Sequence, residues 1–149
     1  MRFVKIENRK AKHDYFIEET IETGIVLVGT EIKSIRKGSA NINEAFCRIK
    51  NGELFIHNMF IDHYEQGNIF NHDERRARKL LVNKREIKNM DEAVRLQGMA
   101  IIPLKVYFVR GRAKLLVGIC KGKKNYDKRN TIKERDIKRS IEKDLKNRY

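Results

Sequence analysis

The side chains best suited to chemistry near neutral pH are four histidines, at 13, 57, 63 and 72, and two cysteines, at 47 and 120. A metal centre needs ligands at short, repeated spacings, and a disulfide framework or zinc site needs paired cysteines. Neither pattern is present. The expectation is no metal, no cofactor and two buried thiols. His13-Asp14 and His72-Asp73 set imidazole beside carboxylate, the chemistry of a general base. Neighbours in sequence do not thereby orient one another, so the signal is weak. A phosphate-cradling GxxxxGK[ST] loop is absent. A metal-free nuclease using His13 or His72 is the enzymatic alternative. The preferred reading has no catalytic residues.

The basic residues form a clearer pattern. The chain of 149 residues has a formal net charge of +14. Residues 121–149 carry 12 Lys/Arg against 5 Asp/Glu, so half of that charge sits in about a fifth of the chain. Charge concentrated this way calls for a polyanionic partner. Arg75, Arg76, Arg78 and Lys79 cluster before an apolar run, and Lys33, Arg36 and Lys37 make a second patch. Guanidinium forks pair with phosphate and stack on exposed bases. Each basic run alone could be a solvated face, but two patches plus a basic tail favour nucleic acid. No apolar run approaches the roughly 18 residues that cross a bilayer, and the start lacks a signal-peptide core. No membrane association and a cytoplasmic location are expected. A membrane-surface helix in the tail is the weaker alternative, because its apolar face is narrow and lacks Trp and Phe.

The elements that must position these residues are mostly strands. Residues 1–12 read as a basic arm of limited order, and 13–16 as a short helix or the lead into a strand. Residues 20–28 are rich in β-branched side chains and predict a strand, with Gly24 at a bulge. Thr30 then reads as the N-cap of a short helix, with Ile32 and Ile35 on its inner face and Gly38 at its end. Asn51-Gly52 between 44–50 and 53–61 predicts a hairpin. Residues 62–79 lose periodicity, and a loop of that length is functional or disordered. Asn83 with Glu86 predicts a capped helix carrying Ile87, Met90 and Val94 inward, ended by Gly98. Strands follow at 100–109 and 112–120, with Leu104, Val106 and Phe108 on one face and Pro103 suggesting an edge. Sequential antiparallel strands without a βαβ rhythm predict a mainly β fold with some α. The closest architecture is an OB-like antiparallel β-barrel with two or three flanking helices and a basic C-terminal tail. The division is a body at 1–121 and a tail at 122–149. The tail is expected to be mobile alone and helical against a partner.

Several longer motifs stand in one order. These are Asn8-Arg9-Lys10-Ala11-Lys12-His13-Asp14-Tyr15-Phe16-Ile17-Glu18-Glu19, Gly29-Thr30-Glu31-Ile32-Lys33-Ser34-Ile35-Arg36, Tyr64-Glu65-Gln66-Gly67-Asn68, Arg78-Lys79-Leu80-Leu81, and Gly122-Lys123-Lys124 with Asp127-Lys128-Arg129. Together they resemble the SmpB family of SsrA-binding proteins from about residue 6 onward. The resemblance implies an OB-like barrel that binds the tRNA-like domain of tmRNA and enters stalled ribosomes with elongation factor Tu and alanyl-tmRNA. It also implies a body that stands in for the anticodon arm, and a tail that probes the decoding centre and the empty mRNA channel and folds there as a helix. A monomer that is not a catalyst is expected. By motif match, His13, Glu22, Leu81 and Asn83 fall at tmRNA-binding positions. Gly122, Lys123, Lys124, Tyr126, Asp127, Lys128 and Arg129 fall on the ribosome-binding tail.

Two departures stand out. Glu74 follows Asp73 where the family usually has proline, leaving the loop less pre-set and adding a negative charge near Arg75. Tyr126 stands where some relatives have histidine. A helix cap explains Asn83 without RNA and is the preferred reading from the residues alone, and Glu22 either accepts from a base amino edge or faces water. A generic basic RNA-binding or ribosome-associated protein, and less so an RNA-processing enzyme, are the alternative functions.

Overall fold

A computed structural model describes residues 6–65, 71–124 and 129. Six strands close into an antiparallel ring. β4 (Phe46–Lys50) pairs with β5 (Glu53–His57), β5 with β7 (Arg78–Leu81), β7 with β2 (Tyr15–Ile25), and β2 with β9 (Arg112–Gly122). β9 pairs with β8 (Ala100–Val109), which returns to β4 through the pair Cys47 and Ile101. This is the expected barrel, and closure leaves its main sheet with few exposed edges. β1 (Ile6–Glu7) extends the free edge of β8, and β3 (Ala40–Asn41) with β6 (Phe60–Ile61) forms a separate ribbon. Among the described residues three helices flank the ring: α1 (Ala11–Asp14), α2 (Gly29–Arg36) and α3 (Lys84–Gln97).

Turn chemistry sets the hairpins as expected. Asn51 and Gly52 have φ of 53° and 75°, the positive values that a two-residue turn between twisted strands needs. Arg110 and Gly111 repeat the geometry at 52° and 77° between β8 and β9. The long hairpin arm does not run unbroken through 53–61. Asn58, at φ 61°, ends β5 and lets β6 turn toward β3.

The core takes Ile35 from α2 and Ile87 and Met90 from α3. From the strands it takes Leu54, Ile56, Leu80, Val106, Leu115 and Val117. A second, smaller cluster lies outside the ring, where Ala11 of α1 covers Ile102 and Cys120. Two register shifts create it, one in β2 between Ile17 and Glu19 and one in β8 between Pro103 and Lys105. Each moves the alternation by one residue. Ile17 and Leu104 thus join the outer cluster while Ile21, Val106 and Phe108 serve the main core. Gly118 is required here, since a Cβ would lie 3.0 Å from both Cys120 Sγ and Leu104 Cδ1.

Several local expectations are corrected. The bulge in β2 is at 17–19, not Gly24, and the strand starts at Tyr15, directly after α1. Pro103 is not on an outer edge. It sits where β8 passes from β4 to β1 and where its register with β9 shifts. Val94 is 38% exposed, so α3 packs through Ile87, Met90 and Ala93 and then leaves the core. Residues 6–12 are not a loose arm. Ile6 and Ala11 are buried, and Asn8, itself buried, donates to the Pro103 carbonyl at 2.8 Å.

Candidate nucleic-acid interface

The outward alternation of β2 presents Glu22 and Gly24, and that of β7 presents Leu81. Gly24 pairs with Leu81, and a Cβ at Gly24 would lie 3.2 Å from the Leu81 Cβ, so glycine lets Leu81 lie across β2. Leu81 is 53% exposed. An apolar side chain held this open in a charged surface suits the face of a base or sugar. Asn83 follows Leu81 by two residues and Glu22 precedes Gly24 by two, so both stand beyond the same end of this antiparallel pair. Glu22, Leu81 and Asn83 thus lie at one end of the β2–β7 ladder, where ring closure brings Gly24 and Leu81 together across 57 positions of the chain.

Asn83 is a cap in fact. Its Oδ1 accepts from the Glu86 N–H at 3.2 Å, and α3 ends at Gly98 with φ of 66°. The amide nitrogen remains as a donor on an exposed residue. Glu22 accepts a short hydrogen bond from the Tyr107 hydroxyl. Burial, then this bond to Glu22 and its charge, pushes the Tyr107 phenol up to about 12. Lys105 lies 5.5 Å over the Tyr107 ring. Tyr107 was missed by motif reading, though the period-two alternation of β8 carried the signal.

His13 is not part of that cluster. It lies before the first residue of β2, seven positions from Tyr15 to Glu22, or about 23 Å along a strand. Its Nδ1 is 2.8 Å from Asp14 Oδ1, so the adjacent pair does orient itself, against the sequence expectation. The same place holds the start of the predicted tail motif. β9 extends to Gly122, Lys123 N–H donates to the Asp14 carbonyl at 2.8 Å, and Lys123 Nζ donates to the Lys12 carbonyl at 2.9 Å. Lys123 Nζ also stands 4.9 Å from the centre of the exposed Phe16 ring. Gly122 and Lys124 are exposed, as is Arg129. Tyr126, Asp127, Lys128, the rest of the tail after 129, and Gln66, Gly67 and Asn68 lie outside the described residues.

The basic clusters divide into two kinds. Lys33 and Arg36 are exposed on α2. Lys33 and Lys37 both stand over Tyr64, at 5.4 and 4.8 Å, and Arg36 over Phe108 at 5.6 Å. Arg75 is exposed, stacks over Phe60 at 5.4 Å and donates to Asn58 Oδ1 at 2.8 Å. Lys79, half-buried, reaches Glu53 at 3.0 Å. Arg78 is different, and the expectation that it contacts RNA is corrected. It has no exposed surface. Its Nε donates to Glu31 at 2.5 Å, Nη1 to the Met59 carbonyl, and Nη2 to the carbonyls of Asp73 and Glu74. Arg76 spans the two roles. It is 38% exposed in its side chain, yet its Nη2 donates to Glu31 at 2.6 Å.

Glu31 is the centre of this arrangement. It is fully buried in the first turn of α2, and its carboxylate also accepts the Val28 N–H at 2.9 Å. Val28, not Thr30, therefore precedes the helix, and Glu31 caps it by reaching back. Burial pushes the Glu31 carboxyl up, but hydrogen bonds from Arg76 and Val28 and the charge of Arg78 outweigh it and hold the group below its ordinary range. Thr30 instead meets His72 Nδ1 at 2.9 Å, while His72 Nε2 donates to the Ile61 carbonyl at 2.9 Å. His72 is a buried strut of the long loop. The loop's last turn is set by Asp73, whose Oδ1 accepts the Arg75 N–H at 2.9 Å. That turn is closed without proline, and the Glu74 carboxylate faces His63 at 3.8 Å.

The cysteines are inert by position. Burial raises the Cys47 thiol far above its ordinary value, and burial with the nearby Glu18 raises Cys120 to about 11. Among the described residues no group of His, Cys, Asp and Glu could hold a metal ion, and no helix is long and apolar enough to cross a membrane.

A closed antiparallel barrel with buried loop struts and several exposed basic and aromatic surfaces defines an OB-like protein of the nucleic-acid-binding class. The comparisons narrow the class. The family model SmpB protein matches residues 5–147. The SsrA-binding proteins of Staphylococcus aureus (strain JH1) and Staphylococcus carnosus (strain TM300) are each 56% identical over 143 residues. Those residues are 96% of this chain, and 93% and 92% of theirs. A solved structure described as "tmRNA-SmpB: a journey to the center of the bacterial ribosome" superposes with a TM-score of 0.69 at 46% identity, covering 82% of this chain and 86% of that one. This chain belongs to the SmpB family.

Proposed function

We propose that this chain binds the tRNA-like domain of tmRNA and delivers it to stalled ribosomes for trans-translation. The observation that carries this reading is family membership across residues 5–147, with 56% identity to SsrA-binding proteins. The geometry supports it. Glu22, Leu81 and Asn83 offer an acceptor, an apolar surface and a donor on one end of the barrel, a combination suited to a folded RNA. The body, 1–121, stands in for the anticodon arm. The tail, 122–149, enters the mRNA channel when no message fills it, through Lys123, Lys124, Tyr126, Asp127, Lys128 and Arg129. Elongation factor Tu with alanyl-tmRNA is the escort. The protein works by binding alone. His72, one of the two candidate bases, is buried with both ring nitrogens engaged, by Thr30 and by the Ile61 carbonyl.

The test is a gel-shift titration against the tRNA-like domain, with ordinary tRNA as competitor, at several salt concentrations. Engagement of six to ten phosphates alone loses roughly a thousand-fold or more in affinity between about 50 and 200 mM salt. Binding that outlasts the salt and resists tRNA is expected. Binding that collapses with salt and treats both RNAs alike would reduce the protein to a generic basic RNA binder.

A further inference from the structure

Beyond Ile56 and Arg78, at the end of the β5–β7 ladder away from Leu81, a groove of about 340 Å³ opens between the turn before α1 and the β3–β6 ribbon. This is in the lower part of the roughly 300–1,000 Å³ range of ligand sites. One side is the Phe60 ring with the Arg75 guanidinium carbon 5.4 Å from its centre. Asn58 fixes the guanidinium, accepting from Arg75 at 2.8 Å and donating to the Glu44 carbonyl at 3.1 Å. Two amides, Asn41 and Asn43, form another side. Asn41 Oδ1 accepts the Asn43 N–H at 2.8 Å, and Asn43 Oδ1 accepts the Arg9 N–H at 3.0 Å. A backbone N–H can only donate, so each amide turns its oxygen toward that N–H and keeps its nitrogen as a donor. The Glu44 carboxylate supplies the acceptors, with one oxygen holding Lys10 Nζ.

An aromatic ring with a guanidinium beside it, amide donors and a carboxylate ask for a flat ligand with a carbonyl beside N–H groups. Among the four bases only guanine presents a carbonyl next to two N–H donors that one carboxylate can take together. Uracil offers one such N–H, and adenine has no carbonyl. In a duplex that edge is already paired, so the groove can take the base only from an unpaired, unstacked nucleotide. Lys10 and Arg75 supply positive charge for its phosphate. We infer that this groove binds a single unpaired guanine nucleotide of an RNA strand, stacked on Phe60 and Arg75 and read by Asn41, Asn43 and Glu44. The inference rests on the chain being an RNA-binding protein, but it uses none of Glu22, Leu81 and Asn83.

The experiment is fluorescence anisotropy of the full chain with a labelled uridine heptamer carrying one central guanine, against the same strand with central adenine. The guanine strand should bind at least about fivefold tighter. Asn41→Asp keeps the oxygen that Asn43 needs and removes the donor. Glu44→Gln keeps the shape and replaces one acceptor oxygen by a donor. Each should abolish the guanine preference while leaving affinity for the tRNA-like domain and the melting temperature unchanged. Equal binding of both heptamers by the unmodified protein, or a preference that survives both substitutions, would overturn the inference. So would guanosine monophosphate binding as tightly as the strand, since the site would then belong to free nucleotides. Failure of the guanine preference with the tRNA-like domain still bound sinks only this site, whereas loss of binding to both RNAs sinks the RNA-binding reading too.

Discussion

At the scale of single residues, Glu31 and Arg78 matter more to the fold than to any ligand. Burying an ion pair is compensated only by complete hydrogen bonding, and here both groups are engaged on several sides. Glu31→Gln leaves Arg78 buried without its anion and should cost about 3–5 kcal/mol. The sign of the pH dependence follows from the depressed carboxyl. The unfolded chain takes up the proton near the ordinary value of 4.5, and the folded chain only below it. The stabilisation is therefore complete above the ordinary value and is lost as pH falls through the lower, folded one. Urea unfolding at pH 3, 4, 5 and 7 should show the gap between the unmodified protein and Glu31→Gln narrowing on the acid side. A gap independent of pH would refute the assignment.

At the scale of elements, α3 and β7 share a junction at which stability and recognition meet in Asn83. Aspartate caps a helix as well as asparagine, so Asn83→Asp should hardly move the melting temperature. Loss of the amide donor and a new charge near phosphate should weaken binding to the tRNA-like domain. Asn83→Ala, in contrast, should lose about 1 kcal/mol from the cap as well. Unchanged RNA affinity in Asn83→Asp with a lowered melting temperature would make the residue a cap and nothing more. The network of Glu31, Arg76 and Arg78 works at this scale also, pinning α2 to β7 and to the carbonyls of residues 59, 73 and 74. It holds residues 73 and 74 in place, so that Arg75 is presented from a supported turn.

At the scale of the whole molecule, the proposed division of labour predicts separable losses. A chain ending at Gly122 should keep nearly full affinity for the tRNA-like domain and fail to support peptide tagging on stalled ribosomes in a reconstituted translation system. Tagging by that shortened chain would refute the role given to the tail. Lys123 belongs to both parts, since its contacts to Lys12 and Asp14 tie the end of β9 to α1. The cut should be placed with this in mind, and a second chain ending after Lys124 should restore any lost stability without restoring tagging.

What the sequence determined by itself was local. The Asn51-Gly52 turn, the Asn83 cap and the α3 stop at Gly98 all follow from neighbours within a few residues, where backbone sterics and side-chain hydrogen bonds act. The motif order was likewise legible, because it lies in the residues as written. What only the tertiary structure decided depends on residues far apart in the chain. Arginine runs look alike in sequence, and only the approach of Glu31, 47 residues from Arg78, turns one of them inward while Arg75 stays exposed. Two register shifts of a single residue changed which core Leu104 serves, and no local signal marks them. The meeting of Glu22, Leu81 and Asn83, and the separation of His13 from them, are products of ring closure. Closure is enforced by burial of a shared apolar interior, a property of the whole chain rather than of any stretch of it.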